Sequence, residues 1–522
     1  MNRTKMLERV NKREEIWDFI IIGGGATGIG CAVDAASRGF SVLLLEQSDF
    51  GKGTSSRSTK LVHGGVRYLA QGNLSLVREA LKERANLLKN APHLVRKQAF
   101  VVPVYSYWDK FFYGAGLKTY NLLSGKSGFG KSEILSVEET IARLPNIKKD
   151  ELHGGILYFD GQFDDTRLLI NLAQTAAEND AVLLNYARVF SFSNDENGKI
   201  DGVAVSDEIS GQIFLAKAKV VINATGAFCD HIRQMSDRKA EKIIAPSQGI
   251  HLVFDKKFLP SESAVMIPKT SDGRVLFAIP WHDHALFGTT DTPLEKAELE
   301  PQAQENEIEF ILETAKQYFE NPPTRTDILS IFVGIRPLVK AENSNNTAAL
   351  SRDHTIEIDN ANLLTITGGK WTTYRAMAED AINQASNLAN LSEQKCVTEN
   401  LKIHGFSEDS ADFGDLGIYG ADAVKIDKLI AENPELNEKL HAELPYRKAE
   451  IVWFCRYEMA QTVEDILARR TRALFLNAKI AIEIAPTVVE IMAKELNLQN
   501  SDAWITEQIK NFTQIAQNYL AP

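Results

Sequence analysis

Cysteine is scarce in this chain of 522 residues, and the few that occur form no short motif. The four cysteines are scattered and no CxxC pair is present; they are Cys31, Cys229, Cys396 and Cys455. This spacing argues against a disulfide framework. We expect reduced thiols in a cytosolic protein.

The sequence also lacks a long apolar run and an excess of basic residues. No stretch approaches the roughly 18 apolar residues of a membrane span. Residues 1–15 are polar and charged, without the apolar core of a signal peptide. The net charge of −11 and the pI of about 5.6 argue against a nucleic-acid backbone as partner. We expect an intracellular protein that neither crosses a bilayer nor binds nucleic acid.

The composition is that of a soluble globular protein with more than one domain. Hydrophobic residues make up 44% of the chain and charged residues 24%. A chain of 522 residues is too long for one ordinary core, so we expect two or three domains. Beyond about residue 400 an apolar period near 3.6 dominates, and glycine disappears after Gly420. This change predicts a separate C-terminal helical domain.

The most informative stretch is residues 18–46. A short apolar run ends in Gly23-x-Gly25-x-x-Gly28, followed by an alanine-rich helical pattern and a second apolar run. Gly23 permits a tight turn, Gly25 lets the backbone approach a pyrophosphate, and Gly28 lets helix and strand pack closely. Glu46, about 20 residues further on, is placed to accept both hydroxyls of an adenosine ribose. An isolated GxGxxG motif is weak evidence for a nucleotide site. Here the first strand, the turn, the helix, the second strand and the acidic residue follow in register, so we predict a dinucleotide site.

A loop rich in small hydroxyl side chains follows that unit. Its hydroxyls could donate to phosphate or flavin atoms or face solvent, and composition leaves both open; they belong to Thr54, Ser55, Ser56, Ser58 and Thr59. His63-Gly64-Gly65 then allows a close backbone approach to a flat group, and Arg67 and Tyr68 come directly after.

Two later turns are also suited to a cofactor. Residues 224–228 form a small-residue turn after a buried strand. Gly368-Gly369-Lys370 opens a helix, which directs N–H groups and the positive end of the helix dipole at an anion or an electron-rich ring edge.

Residues 108–126 combine many aromatic side chains with lysines. Such a stripe is typical of core packing, and the alternative is a segment lying on a membrane surface. Both interpretations stay open.

His282-x-His284 has the spacing of a metal-binding pair, but no further ligand is nearby in sequence. We expect an exposed turn there and no metal site.

Taken in order, the motifs resemble one family along the whole chain, the FAD-dependent glycerol-3-phosphate dehydrogenases. The matching segments are residues 22–39, 53–69, 223–226, 279–291, 334–338, 351–354 and 368–375. Their shared order makes the resemblance far more specific than any single motif.

The resemblance implies an α/β fold with three parts. The first is an FAD-binding Rossmann-like domain of the glutathione-reductase and D-amino-acid-oxidase type. The other two parts are a β-rich substrate domain and the C-terminal helical domain. We assign residues 1–72, 151–230 and 345–395 to the FAD domain, 73–150 and 231–344 to the substrate or cap domain, and 396–522 to the helical domain.

FAD is the implied cofactor. The resemblance implies that it contacts Gly23, Gly25, Gly28, Glu46, Thr54, Ser55, Ser58, His63, Gly64, Gly226, Gly369 and Thr372. Of these, Gly369 and Thr372 would approach the isoalloxazine ring.

The implied substrate is glycerol 3-phosphate. Its phosphate and hydroxyls would be held among Arg67, Tyr68, His251, Arg336, Arg352 and Lys370. A phosphate dianion favours bidentate guanidinium donors together with a point charge, which arginines and a lysine supply. For Arg352, a structural salt bridge with the adjacent Asp353 stays an open alternative.

We expect His251, Arg336 and Lys370 to be catalytic. Oxidation of a secondary alcohol needs a base for the hydroxyl proton, and the ordinary pKa of histidine suits that task. Strand alternation places His251 opposite the apolar side chains of Leu252 and its neighbours. A histidine in a strand is often a core residue, so that alternative stays open.

The family also implies a quinone as electron acceptor. We therefore expect a cytoplasmic protein bound peripherally to the inner face of the cell membrane, as a homodimer. The alternatives are a glycerol-3-phosphate oxidase using O2, an amino-acid oxidase of the same fold, an RNA-modifying flavoprotein and a redox-silent subunit. Relatives that react with oxygen carry an inserted segment of which this sequence shows no sign.

Overall fold

The computed structural model describes residues 1–64, 74–106, 128–271, 273–340 and 353–522. Its strands are β1 (Trp17–Ile22), β2 (Val42–Leu45), β3 (Leu61–Val62), β4 (Val95–Pro103), β5 (Glu133–Leu135), β6 (Gly155–Phe163), β7 (Val182–Leu184), β8 (Ala187–Asn194), β9 (Ile200–Asp207), β10 (Ile213–Asn223), β11 (Ile244–Asp255), β12 (Ala264–Ile267), β13 (Leu276–Trp281), β14 (His284–Gly288), β15 (Thr292–Pro293), β16 (Ser330–Val339), β17 (His354–Ile358) and β18 (Leu363–Gly368).

Its α-helices are α1 (Arg3–Asn11), α2 (Ala26–Ser37), α3 (Leu74–Asn90), α4 (Val137–Arg143), α5 (Asp165–Glu178), α6 (Cys229–Ser236), α7 (Glu305–Tyr318), α8 (Tyr374–Leu388), α9 (Ala423–Glu432), α10 (Lys448–Tyr457), α11 (Ala473–Leu476), α12 (Ala478–Glu495) and α13 (Asp502–Gln517). Within the described ranges, no helix is both long enough and apolar enough to cross a bilayer.

The first sheet has the order β17-β18-β10-β1-β2-β7, with β1 parallel to both β10 and β2. The side chains of β1 and β2 are almost entirely buried, as a parallel strand covered on both faces requires. Helix α2 connects these two strands and packs between α5 and α8. The predicted strand–turn–helix–strand unit is therefore confirmed.

The second sheet has the order β15-β11-β14-β13-β12-β4-β6-β3, with β16 beside β11. Both β3 and β6 pair in this sheet, although their residues fall within ranges assigned to the FAD domain. The predicted alternation along β11 is confirmed. Ile250, Leu252 and Phe254 enter one hydrophobic cluster, and Val253 enters the cluster on the opposite face.

The C-terminal helices share a hydrophobic core with the second sheet. Residues of β11, β13 and β16 lie in one cluster with residues of α10 to α13. For example, the rings of Phe332 on β16 and Phe475 on α11 have centroids 4.9 Å apart. The helical character predicted from the sequence is confirmed, but these helices do not form a core of their own.

Two β-hairpins connect strands of the structure, and each turns at identifiable residues. The β8–β9 hairpin turns at Asn197-Gly198, a dipeptide that favours hairpin turns. The β13–β14 hairpin turns at His282 and Asp283, whose φ angles are 46° and 55°. Between β7 of the first sheet and the β8–β9 hairpin, the chain breaks at Tyr186, where φ is 54°.

Candidate active site

A deep cleft lies at the carboxyl ends of the central strands of the first sheet. Its volume is about 1390 Å³, including its solvent-filled mouth. Among the lining residues are Gly23, Gly25, Glu46, Thr54, Ser55, Gly226, Gly369, Lys370 and Trp371. This is the edge at which open α/β sheets bind their ligands.

The glycine turn after β1 is fixed by close contacts. Gly23 has a φ of +112°, which side chains disfavour. A Cβ placed on Gly28 would lie 2.0 Å from the carbonyl oxygen of Gly23, so no side chain fits there. Helix α2 begins with its N–H groups at the cleft, and the Ala26 N–H donates to Oγ of Ser55 at 2.9 Å.

Glu46 lies at the end of β2 and lines the cleft. Its carboxylate accepts the N–H of Gly24 at 2.6 Å and the N–H of Ser48 at 2.8 Å. Burial raises the pKa of Glu46, while these two bonds oppose that shift. The two N–H donors hold the carboxylate in place at the cleft wall.

A second part of the cleft lining, which we call the ring end, consists of Gly226, Gly369, Lys370 and Trp371. Gly226 and Gly369 have φ angles of 58° and 69°. Trp371 ties this end to the hydroxyl-rich loop, because its Nε1–H donates to the carbonyl of Ser55 at 2.9 Å.

His251 on β11 is buried, with 3% of its surface exposed. Its Nε2 lies 2.9 Å from Oγ1 of Thr59. Its Nδ1 is buried and has no hydrogen-bond partner within the described part of the chain. Burial, together with the positive charges of Lys60 and Arg336, lowers the pKa of His251 well below its usual value. The imidazole is therefore neutral near pH 7.

Arg336 lies on β16, next to Pro337 of the cleft lining. Four protein oxygens surround its two terminal nitrogens. Nη1 donates to the carbonyl of Gln248 at 3.2 Å and to the carboxylate of Asp291 at 3.3 Å. Nη2 donates to the carbonyl of Thr290 at 2.8 Å and to Oγ1 of Thr289 at 3.3 Å. These contacts fix a positive charge in the same region as His251.

Comparisons with known proteins agree with this geometry. Residues 18–380, more than half of the chain, match the family model for FAD dependent oxidoreductases. Residues 361–503 match the model for the C-terminal domain of alpha-glycerophosphate oxidase. The mitochondrial glycerol-3-phosphate dehydrogenase of Homo sapiens is 40% identical over 515 residues, covering 92% of this chain and 71% of the relative. The chain belongs to the FAD-dependent glycerol-3-phosphate dehydrogenases.

Solved structures support the family and the fold. The glycerol-3-phosphate dehydrogenase from Bacillus halodurans, complexed with FAD, is similar with a TM-score of 0.81 and 29% identity. That match covers 100% of this chain and 98% of the other. The FAD-bound L-alpha-glycerophosphate oxidase from Mycoplasma pneumoniae has a TM-score of 0.56 and 18% identity, covering 74% of this chain and 98% of the other. That second likeness concerns the fold alone.

FAD is the cofactor of this family, and the cleft fits it. Gly25 leaves the start of α2 without a side-chain cap of its own, which suits an anion at that helix end. A Cβ added to Gly226 would enter open space, so the backbone there leaves room for a ligand. Glu46 supplies the carboxylate that a ribose requires. A bound FAD would therefore be held by the α2 N-terminus, Glu46 and the ring end.

Some predicted cofactor residues face other partners. Thr54 lines the cleft but donates its hydroxyl to the carbonyl of Ile335 at 2.6 Å. Ser58 lies outside the cleft lining and donates to Asp165 at 2.7 Å. The roles of both residues in cofactor binding stay predictions.

His63 and Gly64 also lie outside the cleft lining. The His63 N–H donates to Oγ1 of Thr372 at 3.2 Å, and the Gly64 N–H donates to Asp160 at 3.3 Å. The first bond connects the His63 loop to Thr372, which was predicted to approach the isoalloxazine ring and also lies outside the cleft lining. Their contacts with FAD likewise stay predictions.

Three predicted substrate residues lie outside the described residues: Arg67, Tyr68 and Arg352. The aromatic stripe at residues 108–126 also lies outside them. The pair His282 and His284 is half-buried at its hairpin turn, and His282 Nε2 lies 3.1 Å from Asp164.

A buried ionic cluster, not predicted from the sequence, joins the C-terminal helices to the segment after β2. Arg470 forms a bidentate pair with Asp49, at 2.7 and 2.9 Å, and Arg469 donates to the same carboxylate at 2.6 Å. Arg472 donates to the carbonyl of Ser56 at 2.8 Å, in the hydroxyl-rich loop. The available signal was the set of three arginines within the apolar run of residues 466–475.

Lys60 was also missed. It is fully buried and its Nζ donates to Asp165 at 2.6 Å and to the carbonyl of Ser56 at 2.8 Å. Burial, with repulsion from Arg472, lowers the pKa of Lys60 to about 7. A lysine beside serine and threonine in a loop gives no sequence signal of burial.

Proposed function

We propose that this chain oxidises sn-glycerol 3-phosphate to dihydroxyacetone phosphate and passes the electrons to a membrane quinone. The observation that carries the proposal is the pair of His251 and Arg336 on adjacent strands, beside a cleft suited to FAD. A neutral imidazole and a fixed guanidinium are the base and the cation that oxidation of a phosphorylated alcohol requires. The names of the relatives support the choice of substrate.

In this proposal His251 takes the proton of the C2 hydroxyl. FAD, when bound, would supply the two-electron acceptor, its flavin N5, for the hydride of C2. The alcohol thus loses one hydride and one proton and becomes a ketone. The lowered pKa of His251 keeps the ring able to accept that proton at neutral pH.

Arg336 and Lys370 supply positive charge for the substrate. The terminal nitrogens of Arg336 already donate to four protein oxygens, so a two-bond fork to phosphate would have to displace some of them. We therefore assign Arg336 mainly a charge role, which differs from the bidentate grip expected from the sequence. Lys370 lines the cleft at the start of the α8 segment and is the better placed phosphate ligand. Arg67, Tyr68 and Arg352 complete the proposed site from the sequence.

Replacing Arg336 tests this assignment. Arg336→Lys keeps the charge and loses the planar contacts, whereas Arg336→Met loses both. We expect Arg336→Met to reduce kcat/KM for glycerol 3-phosphate clearly more than Arg336→Lys does. Equal losses in the two variants would show that the planar contacts, and not the charge, matter.

Three further parts of the proposal concern the location of the protein and its assembly. We propose peripheral attachment to the inner face of the cell membrane and a homodimer in a cytoplasmic setting, with residues 108–126 as the candidate segment for membrane contact. If that segment is interfacial, Phe111→Ser with Phe112→Ser should release the protein from vesicles and leave activity with a soluble dye intact. Loss of dye activity together with release would indicate core residues instead.

An oxidase using O2 is the second candidate. It is favoured by the match of residues 361–503 to the C-terminal domain of alpha-glycerophosphate oxidase. Parallel assays of hydrogen peroxide production and of quinone-analogue reduction separate the two. The proposal predicts fast quinone reduction and slow peroxide formation, and the reverse ratio would make the chain an oxidase.

A further inference from the structure

A buried carboxylate contacts residues that bind Arg336. Glu307, on α7, has 2% of its surface exposed. Four donors reach its two oxygens. Gln248 Nε2 donates at 2.6 Å and the Gln304 N–H at 3.0 Å to Oε2, while Thr290 Oγ1 donates at 2.8 Å and Thr292 Oγ1 at 2.6 Å to Oε1. An ionised carboxylate is the group that can accept all four bonds.

Two of these donor residues, Gln248 and Thr290, also bind Arg336 through their backbone carbonyls. The carbonyl of Gln248 accepts from Nη1 of Arg336, and the carbonyl of Thr290 accepts from Nη2. Glu307 thus binds the side chains of Gln248 and Thr290, and the backbone carbonyls of the same two residues bind the guanidinium of Arg336. Thr290 is further tied to the sheet, because its Oγ1 accepts the N–H of Ile250 at 3.0 Å.

We propose that Glu307 is a positioning residue that sets the place of the Arg336 guanidinium for the reaction. This inference rests on the proposed function, because it assumes that Arg336 acts on the substrate. The Glu307 carboxylate bonds to the side chains of Gln248 and Thr290, and those residues' carbonyls in turn bond to Arg336. Its influence on the reaction passes through the carbonyls of Gln248 and Thr290.

The chemistry of the contacts favours a positioning role over simple packing. One carboxylate bridges β11 and the segment between β14 and β15, which are the two walls around the guanidinium. A displacement of either wall moves an acceptor of Arg336. Misplacement of a catalytic group by about 1 Å can cost as much as 100-fold in rate.

The decisive variant is Glu307→Gln, measured on the FAD-loaded full chain. An amide of the same shape cannot accept from all four donors. We expect the limiting rate of anaerobic flavin reduction by glycerol 3-phosphate to fall by about 10- to 100-fold, with a smaller change in KM. FAD content should match that of the wild type. The matched control is Glu305→Gln on the same helix end, whose exposed carboxylate pairs with Arg325, and it should leave the rate unchanged.

Non-additivity identifies the route of the effect. In the double variant Glu307→Gln with Arg336→Met, flavin reduction should be no slower than in Arg336→Met alone. A merely structural role would add its loss to that of Arg336→Met. Additive losses would overturn the proposal.

A second pair of variants applies if Glu307→Gln does not fold. Thr290→Val and Thr292→Val each remove one hydroxyl donor to the same carboxylate oxygen, but only Thr290 carries a carbonyl that binds Arg336. We expect Thr290→Val to slow flavin reduction clearly more than Thr292→Val. Equal rates in the two variants would contradict the proposal.

Failure of this inference differs from failure of the proposed function. If Glu307→Gln reduces its flavin like the wild type while Arg336→Met is slow, Glu307 has no positioning role and the function stands. If the wild type itself does not reduce its flavin with glycerol 3-phosphate, the proposed function is wrong, and this inference falls with it.

Discussion

His251 stacks its imidazole on the phenyl ring of Phe332, with the ring centroids 4.7 Å apart and the planes 13° apart. The two residues are opposite each other on β11 and β16. A hydrogen bond to Thr59 fixes the ring at Nε2, so Nδ1 is the remaining nitrogen for chemistry. In the tautomer whose Nε2–H donates to Thr59, Nδ1 is the unengaged basic atom of a histidine that otherwise packs in the core.

The first prediction concerns His251 as the base. His251→Ala should slow flavin reduction by glycerol 3-phosphate by roughly 10²–10⁴-fold, the usual range for a general base. FAD binding should survive, because His251 is not among the residues that line the cleft. Anaerobic stopped-flow measures the rate, and His441→Ala in the C-terminal region serves as control. A rate within a few-fold of the wild type would leave His251 a packing role only.

The pH dependence of the wild type follows from the environment of His251. The sequence alone indicated an apparent pKa of roughly 6 to 7. Burial and the charges of Lys60 and Arg336 instead lower the pKa well below that range. The neutral ring is the active form, so the rate should stay flat through neutral pH and fall only in the acid range. A loss of half the rate between pH 6 and 7 would contradict this assignment.

The second prediction concerns Glu46 and FAD. Glu46→Ala removes a charged acceptor from the cleft wall and should weaken FAD binding by about 1.5–3 kcal/mol. Titration of the apoprotein with FAD, followed by flavin fluorescence, measures the effect. Gln47→Ala is the matched control, because Gln47 also lines the cleft but carries no charge. Equal FAD affinity in the Glu46 variant and the wild type would exclude a ribose contact.

The third prediction concerns stability and pH at His404. Burial opposes its charge, but hydrogen bonds to Asp422 and Glu178, both at 2.6 Å, raise the pKa of His404 to about 9. A raised pKa in the folded state means that this stabilisation is complete below the unfolded value of about 6.5 and is lost as the pH rises through 9. The free energy of unfolding should therefore fall by about 3 kcal/mol more over this interval in the wild type than in His404→Gln. Denaturant unfolding at several pH values measures it, and parallel pH curves for the two proteins would contradict it.

The fourth prediction concerns the buried arginine cluster. Arg470→Met leaves Asp49 without its bidentate partner in a fully buried site. Loss of one partner of a buried pair should lower the free energy of unfolding by about 3–5 kcal/mol. Arg456→Met is the control, because the Arg456–Glu495 pair is partly exposed and should contribute at most about 1 kcal/mol. Similar losses in both variants would show that burial of the pair does not matter.

The sequence predicted well what depends on local spacing. The GxGxxG unit, the Asn197-Gly198 turn and the alternation along β11 each involve neighbours in the chain, whose geometry repeats with period two or 3.6. The position of the glycine turn at the cleft follows from that regularity, and so does the side of β11 on which His251 lies.

Contacts between distant parts of the chain could not be predicted in the same way. The burial of Lys60, the pairing of Arg470 with Asp49 and the Glu307 cluster all join segments more than a dozen residues apart. Nothing in the local composition gives the position of a partner in another element. The same reason accounts for the depressed pKa of His251, which depends on burial and on charges brought close by folding.

The most direct test of the account is the anaerobic bleaching of the flavin. Purified FAD-loaded protein is mixed with glycerol 3-phosphate, glycerol or an amino acid without oxygen, and the flavin absorbance is followed. The account predicts rapid bleaching with glycerol 3-phosphate and very slow bleaching with glycerol and with the amino acid, because the site supplies positive charge for a phosphate. Equal bleaching by glycerol and its phosphate, or bleaching by the amino acid alone, would contradict it.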